Sequence, residues 1–301
     1  MLPNIRTIIS ERWLLFCSWI ILYSLLFVRP LIDLVHLSLT SDDASHLILI
    51  PFFAAGLMFI GRRPIFRDLS SDVGFGSLLV VLGSGLTMGT WLTGKSLTSD
   101  LQLTGYILAL LLFWIAGFAF FFGRTAVKAA HFPLLFLFLT VPPPDFLLRR
   151  VIYLLQAGSA DITGALFDLF GVPALREGFV FHLAQVNIEV ARECSGIRSS
   201  IALLILALPV VHFGLRHFWK KLLFLVCALL MMILKNGIRI VALTLLAIYV
   251  DPSFLFGRLH REGGIVFFLL GLLLLLPVYL LLQEGRPRAP EAKPTTSTNL
   301  R

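Results

Sequence analysis

The run from Leu101 to Phe122, LQLTGYILALLLFWIAGFAFFF, contains no charged residue. A helix of about 20 such residues crosses the roughly 30 Å hydrocarbon layer of a bilayer. Inside that layer every backbone N–H and C=O must be paired within the protein, which leaves helices or closed barrels. An unbroken apolar run without alternation is a helix and not a barrel strand. Eight stretches of this kind can be drawn, at about 13–31, 46–60, 74–92, 101–122, 132–141, 196–214, 222–250 and 264–282. The second and fifth are short for complete spans. Only 14% of the 301 residues are charged, against about 25% in a soluble domain. The chain therefore reads as an all-α polytopic membrane protein of about eight transmembrane helices.

Charge sets the orientation, because short loops rich in Lys and Arg stay in the cytoplasm. With a cytoplasmic N-terminus, fourteen of the 25 basic residues fall on inner segments, eight on outer ones and three within spans. Most acidic residues fall outside, so both termini are expected in the cytoplasm. The net charge of +8 is spread over inner loops, with no basic domain that could track phosphates, so no nucleic-acid partner is expected. Arg6 and Arg12 precede a long apolar run without a small-residue cleavage site, which reads as an uncleaved first span. Residues 1–285 form one integral membrane domain in this reading. The polar, Pro/Thr-rich tail 286–301 reads as disordered and cytoplasmic. The segment 142–195 is the one long extracytoplasmic stretch. Its first part, 145–170, reads as an interfacial amphipathic helix opened by Asp145. Its second part, 178–191, alternates and reads as a short β-hairpin just before Cys194. Gly83, Gly85 and Gly89 look like a close helix-packing face. Cys17 and Cys227 lie within apolar runs and read as small buried residues.

Charges at depth in a membrane are costly and mark function. Lys235, Asn236 and Arg239 share one turn of the seventh stretch. Arg239 lies 18 residues beyond Lys221, about 27 Å along a helix, near the outer edge of the hydrocarbon core; an arginine snorkelling to outer headgroups is the plain alternative. Cys194 opens the sixth stretch in ECSGIRSS. A helix N-terminus and Arg198, four residues on, both favour its thiolate, while Glu193 opposes it. His260 lies in the outer loop before the last stretch; His36, His46 and His182 are the other histidines on that side. A thiol nucleophile, a histidine to exchange protons and a fixed arginine for the developing oxyanion are what cysteine acyl transfer requires.

These residues resemble the exosortase/archaeosortase family of membrane transpeptidases. Cys-Ser-Gly-Ile-Arg-Ser at 194–199, Asn-Gly-Ile-Arg-Ile at 236–240, and His260 with Gly264 four residues on carry the resemblance. The approach FPLLFLFLTVPPP, the Gly-Val-Pro turn at 171–173 and Arg-Glu-Gly at 176–178 are similar too, as is Ser45-His46 at the second stretch. Pro142-Pro143-Pro144 departs from the Pro-x-Pro expected there. The resemblance implies a thiol protease or transpeptidase of a prokaryotic inner membrane, with Cys194 as nucleophile and Arg239 and His260 completing an extracytoplasmic site. Arg198, Asn236, Ser195, His46 and Arg176 are expected in supporting or substrate-binding roles, and Arg198, Arg176 or Arg258 could pair with a substrate glutamate. The implied partners are secreted proteins with a C-terminal sorting signal: a Pro-Glu-Pro-like motif, one transmembrane helix and a basic cluster. An acceptor nucleophile and membrane lipids are the others. Hydrolysis and transfer to the acceptor both fit these residues. No cofactor and no metal are expected.

A rival reading makes the chain a transporter or an anionic-lipid-binding protein, with Lys235, Asn236 and Arg239 as an anion site at a helix break. No inverted repeat relates the two halves, which weighs against it.

Overall fold

The computed structural model describes residues 5–94, 96–190, 197–255 and 264–283. Its helices are α1 (Ile5–Leu26), α2 (Val28–Thr40), α3 (Ile50–Ile60), α4 (Arg62–Ile65), α5 (Val73–Thr93), α6 (Ser99–Ala129), α7 (His131–Leu137), α8 (Asp145–Leu169), α9 (Ile197–Gly214), α10 (Phe218–Tyr249) and α11 (Gly264–Leu282). Each of the eight apolar stretches holds a helix. Among the described residues, α5, α6, α9, α10 and α11 are long and apolar enough to cross a bilayer. Two bent pairs raise the total to seven: α1 with α2, at 78°, and residues 131–140 with α8, at 94°. The second stretch is the 11-residue α3, too short to span by itself.

The N-terminal half is built on α6. Gly76 and Gly83 of α5 face the rings of Phe120 and Phe113, where a Cβ would crowd them. Gly85 and Gly89 have open space around them, so the expected glycine face is confined to Gly83, extended instead by Gly76. The indole of Trp19 donates to the Phe113 carbonyl at 2.8 Å, fixing α1 on α6. Cys17, expected to be buried, is exposed on α1 and Cys227 is intermediate. An outward apolar side chain costs nothing when the surroundings are lipid. The straight course of α6 ends at Gly123, whose φ of +83° lies in the region open to glycine. The chain then turns back through α7, which explains how so short a fifth stretch regains the level of Thr104. There the Thr104 hydroxyl donates to the Pro142 carbonyl at 2.8 Å.

The C-terminal half is built on α10, 32 residues long and so about 48 Å from end to end, well beyond the hydrocarbon thickness. α9 returns antiparallel along its first half, where Leu203, Ala207 and Val211 pack with Phe224, Ala228 and Met232. α8 runs along its second half in the same direction. Gly158 meets Ile233, Ser159 meets Asn236, and Ile162 and Thr163 meet Gly237. Phe167 clusters with Ile240 and Val241 further on.

α8 starts where the Asp100 carboxylate accepts the Asp145 N–H at 2.9 Å. It ends in a Schellman turn: Gly171, φ +66°, donates to Asp168 and Val172 donates to Phe167. The expected hairpin is a three-stranded antiparallel meander, β1 (Ala174–Glu177), β2 (Val180–Leu183) and β3 (Asn187–Glu189). Its first strand begins upstream of the expected 178–191. The reason is a two-residue connection at Gly178-Phe179, with Gly178 at φ +61°, the geometry that glycine permits in tight hairpins. Phe181 and Leu183 of this sheet, with Val190 just past β3, share one core with Ala160 and Phe167 of α8 and Ile240 and Val241 of α10. The partners of α10 thus change along its length, from α9 to α8 and the sheet, and the change falls at Lys235–Arg239.

Candidate active site

The turn of α10 at that changeover is polar. Lys235 and Asn236 are only 2% and 1% exposed. Burying such groups without partners costs several kcal/mol in an apolar medium, so their partners define the local structure. The Lys235 ammonium donates to the Ser199 hydroxyl in the first turn of α9. The Asn236 side-chain amide donates to the Ser159 hydroxyl of α8 at 3.0 Å. Between them Gly237 lets α8 approach so closely that a Cβ there would overlap the Ile162 side chain and lie 3.4 Å from the Thr163 nitrogen. The Lys235 stem lies beside Gly271, where a Cβ would sit 3.4 Å from its Cδ, so α11 joins the same level. Arg239, one turn beyond Lys235 on the same face, is partly buried.

Cys194, Ser195 and His260, expected in the site, lie outside the described residues, as does Arg258. Both flanks of the cysteine segment are described, and each leads back to this polar turn. On one side Val190 is fully buried; its N–H donates to Phe179, and its carbonyl accepts from the Gln156 side chain of α8. On the other side α9 begins at Ile197, packed against Ile152 and Leu155 of α8.

The remaining expected residues divide. Arg198 is exposed and donates to the Asp42 carboxylate at 2.8 Å. That contact carries the 3-10 turn Asp42–Ala44 to the start of α9 and places the Ser45-His46 turn in the same neighbourhood. His46 stands between that turn and α3, and burial lowers its pKa, favouring the neutral imidazole. Arg176 on β1 donates to Asp161 of α8 at 2.8 Å and to the Gly178 carbonyl at 2.9 Å. Its guanidinium therefore braces the sheet on α8. His182 contacts Asn187 and Glu177, and His36 is exposed on α2.

The sequence reading missed Asp42, Ser199 and Ser159, which accept from Arg198, Lys235 and Asn236, and Gln156, which donates to the Val190 carbonyl. One signal was available: Gln156, Ser159 and Thr163 recur at helical spacing on α8 and form a polar stripe. Lys235 and Asn236 both donate to neighbouring helices, an arrangement unlike an anion site open to a transported ligand. Among the described residues no group of three or more His, Cys, Asp or Glu stands together in the manner of a metal site.

A family model described as Transmembrane exosortase (Exosortase_EpsH) matches residues 38–277, most of the chain. No curated protein and no solved structure gives a comparable match.

Proposed function

The chain belongs to the transmembrane exosortase family, a family of membrane cysteine transpeptidases in protein sorting, and from that premise we propose that it cleaves the C-terminal sorting signals of secreted proteins with Cys194 as nucleophile. The observation that carries this reading is the polar turn Lys235–Arg239. It sits where α8 and α9 fasten the two flanks of the segment containing Cys194. Ile197 is three positions beyond Cys194 in the sequence, a chain reach of at most about 11 Å.

In this mechanism the Cys194 sulfur attacks the carbonyl carbon of the scissile peptide, forming a C–S bond. Arg239 stabilises the charge that develops on the carbonyl oxygen. His260 gives a proton to the departing amine as the C–N bond breaks, leaving a thioester. Water or an acceptor nucleophile, deprotonated by His260, then attacks the thioester and restores the thiol. The site faces the extracytoplasmic side, with both termini in the cytoplasm, residues 1–285 as one membrane domain and 286–301 as a tail. The membrane is the inner membrane of a prokaryote. A substrate anchored by one helix diffuses in the same bilayer and presents a Pro-Glu-Pro-like motif at that surface, ahead of its own basic cluster. Ser195, Asn236, Arg198, His46 and Arg176 support the site or the bound motif.

The test is processing of a tail-bearing secreted reporter in cells. Cleavage by the parent and none by Cys194→Ala, Arg239→Ala or His260→Ala, at equal membrane levels, is expected. Equal cleavage by the parent and Cys194→Ala would remove the thiol from the mechanism. Mass spectrometry of the new C-terminus separates hydrolysis from transfer.

A further inference from the structure

We propose that Lys235 is a positioning residue for the reaction, acting through Ser199 to fix the start of α9 and so the segment that carries Cys194. This rests on the reading of Cys194 as nucleophile, but its structural basis lies entirely in described residues.

Lys235 is an expensive residue where it stands. It lies 17 residues into α10, about 26 Å from Phe218 along the axis, and is 2% exposed. A lysine whose only task was to cover apolar surface would extend its ammonium to headgroups. This one turns inward. Its stem passes between α10 and α11 at Gly271, where the missing side chain leaves room for it. Its ammonium ends on the Ser199 hydroxyl. Leucine or methionine would fill the same volume without the cost of desolvating a charge, so the charge has a use that packing does not explain.

The acceptor identifies that use. Ser199 lies in the first turn of α9, five residues after Cys194. The same α10 turn holds α8 through Asn236 and Ser159, and α8 in turn holds Val190 through Gln156. Lys235 is the tie from α10 on the C-terminal flank of the cysteine segment, beside the packing of Ile197 on α8 and the Arg198–Asp42 pair, and Gln156 ties the N-terminal flank to α8. Loss of the Lys235–Ser199 contact removes the polar link that sets the first turn of α9 against the turn carrying Arg239.

The experiment uses the full chain reconstituted in liposomes, with Cys17→Ser and Cys227→Ser so that Cys194 is the sole thiol. Lys235→Met keeps the length of the stem, Ser199→Ala removes the acceptor, and Ser199→Thr restores a hydroxyl. Two readouts are taken: kcat and KM for a tail-bearing reporter, and the rate of N-ethylmaleimide addition to Cys194 followed by mass. Displacement of a reacting group by about 1 Å costs up to a hundredfold, so Lys235→Met and Ser199→Ala should each lower kcat at least tenfold with KM within twofold. Both should change the alkylation rate in the same direction, Ser199→Thr should recover most of the parental values, and the double variant should be no worse than Lys235→Met.

Parental kcat and alkylation in Lys235→Met would overturn the proposal. So would single effects that multiply in the double variant, or a loss confined to KM, which would make Lys235 a substrate anchor. If Lys235→Met fails to fold, the Ser199 variants decide the matter by the same criteria. If the parent cleaves no reporter while the alkylation rates still move together, the sorting reading fails and the positioning of Cys194 by Lys235 stands.

Discussion

Gly237 offers the sharpest check on the architecture, because two known effects of adding a methyl group oppose each other there. In a helix interior alanine is favoured over glycine by about 1 kcal/mol. If α8 were not pressed against this face, Gly237→Ala would stabilise the protein by that amount. The new Cβ would lie 2.9 Å from the Ile162 Cβ, overlap its Cγ2 and stand 3.4 Å from the Thr163 nitrogen. Carbon–carbon contacts relax only at about 3.5–4.0 Å, so relieving the 2.9 Å approach to the Ile162 Cβ alone parts the helices by roughly 0.6–1.1 Å, and the Cγ2 overlap asks for more unless that side chain turns. The obstacle is the root of a β-branched side chain and the backbone, not a flexible tip that can swing aside. Overpacking of this kind costs about 1–3 kcal/mol, which exceeds the propensity gain over most of its range. The net expectation is a loss of up to about 2 kcal/mol. A second consequence follows for the site, since the same parting stretches the 3.0 Å bond from Asn236 to Ser159. Gly237→Ala should lower the thermal midpoint in detergent and slow reporter cleavage at least tenfold. Ile162→Ala in the same chain removes the Cγ2 overlap, so the double variant should be less impaired than the single effects combined. A raised midpoint with undiminished cleavage in Gly237→Ala would refute the close approach of α8 to α10.

Three further outcomes are expected. Gly123→Ala should be among the most damaging glycine substitutions, since φ is +83° and a Cβ would run into Ser70; strain of this kind costs about 1–3 kcal/mol, and unchanged membrane levels and midpoint would contradict it. Ser159→Ala removes the acceptor of the Asn236 amide inside an apolar core and should cost about 1–3 kcal/mol, read as a lowered midpoint that Ser159→Thr largely restores. His46 has its pKa lowered by burial, so the unfolded chain binds the proton more readily than the folded one. Stability from this group is complete above the unfolded value of about 6.5 and declines as pH falls below it. His46→Gln should flatten the midpoint-versus-pH curve below about pH 6.5, and an unaltered slope would exclude His46 as its source.

Hydropathy made the membrane helices legible, and alternation and turn residues did the same for the helix α8 and part of the sheet after it, because each depends on local composition; the packing of α8 lengthwise along α10 was not legible. Lateral neighbours were not legible. In a bilayer, lipid tails are as apolar as leucine, so a residue facing lipid and one facing another helix leave the same mark in a sequence. Cys17 turns outward and Gly85 and Gly89 face open space for this reason, although all three read as packed. The polar ties were hidden for a different reason. Ser159 and Asn236 are 77 residues apart, and Asp42 and Arg198 are 156 apart, separations over which no periodicity speaks. The sheet was half legible: alternation revealed β2 and β3, whereas β1 carries Arg176 and Glu177 on exposed positions and shows little alternation.

The uninterrupted 32 residues of α10 also make it a gauge of bilayer thickness. In the orientation proposed above, Lys220 and Lys221 at one end anchor at the inner headgroups, and the polar turn sits at a fixed height above them because no hinge interrupts the helix. Lipids that thicken the membrane would draw that turn down into hydrocarbon, and thinner ones would lift it into the headgroup layer. Mismatch of this kind is tolerated at fractions of a kcal/mol per ångström, enough to tilt the helix and alter water access to the reacting groups. The acyl chain length of the host membrane thereby becomes a setting on the enzyme, written into the distance between its lysine pair and Arg239.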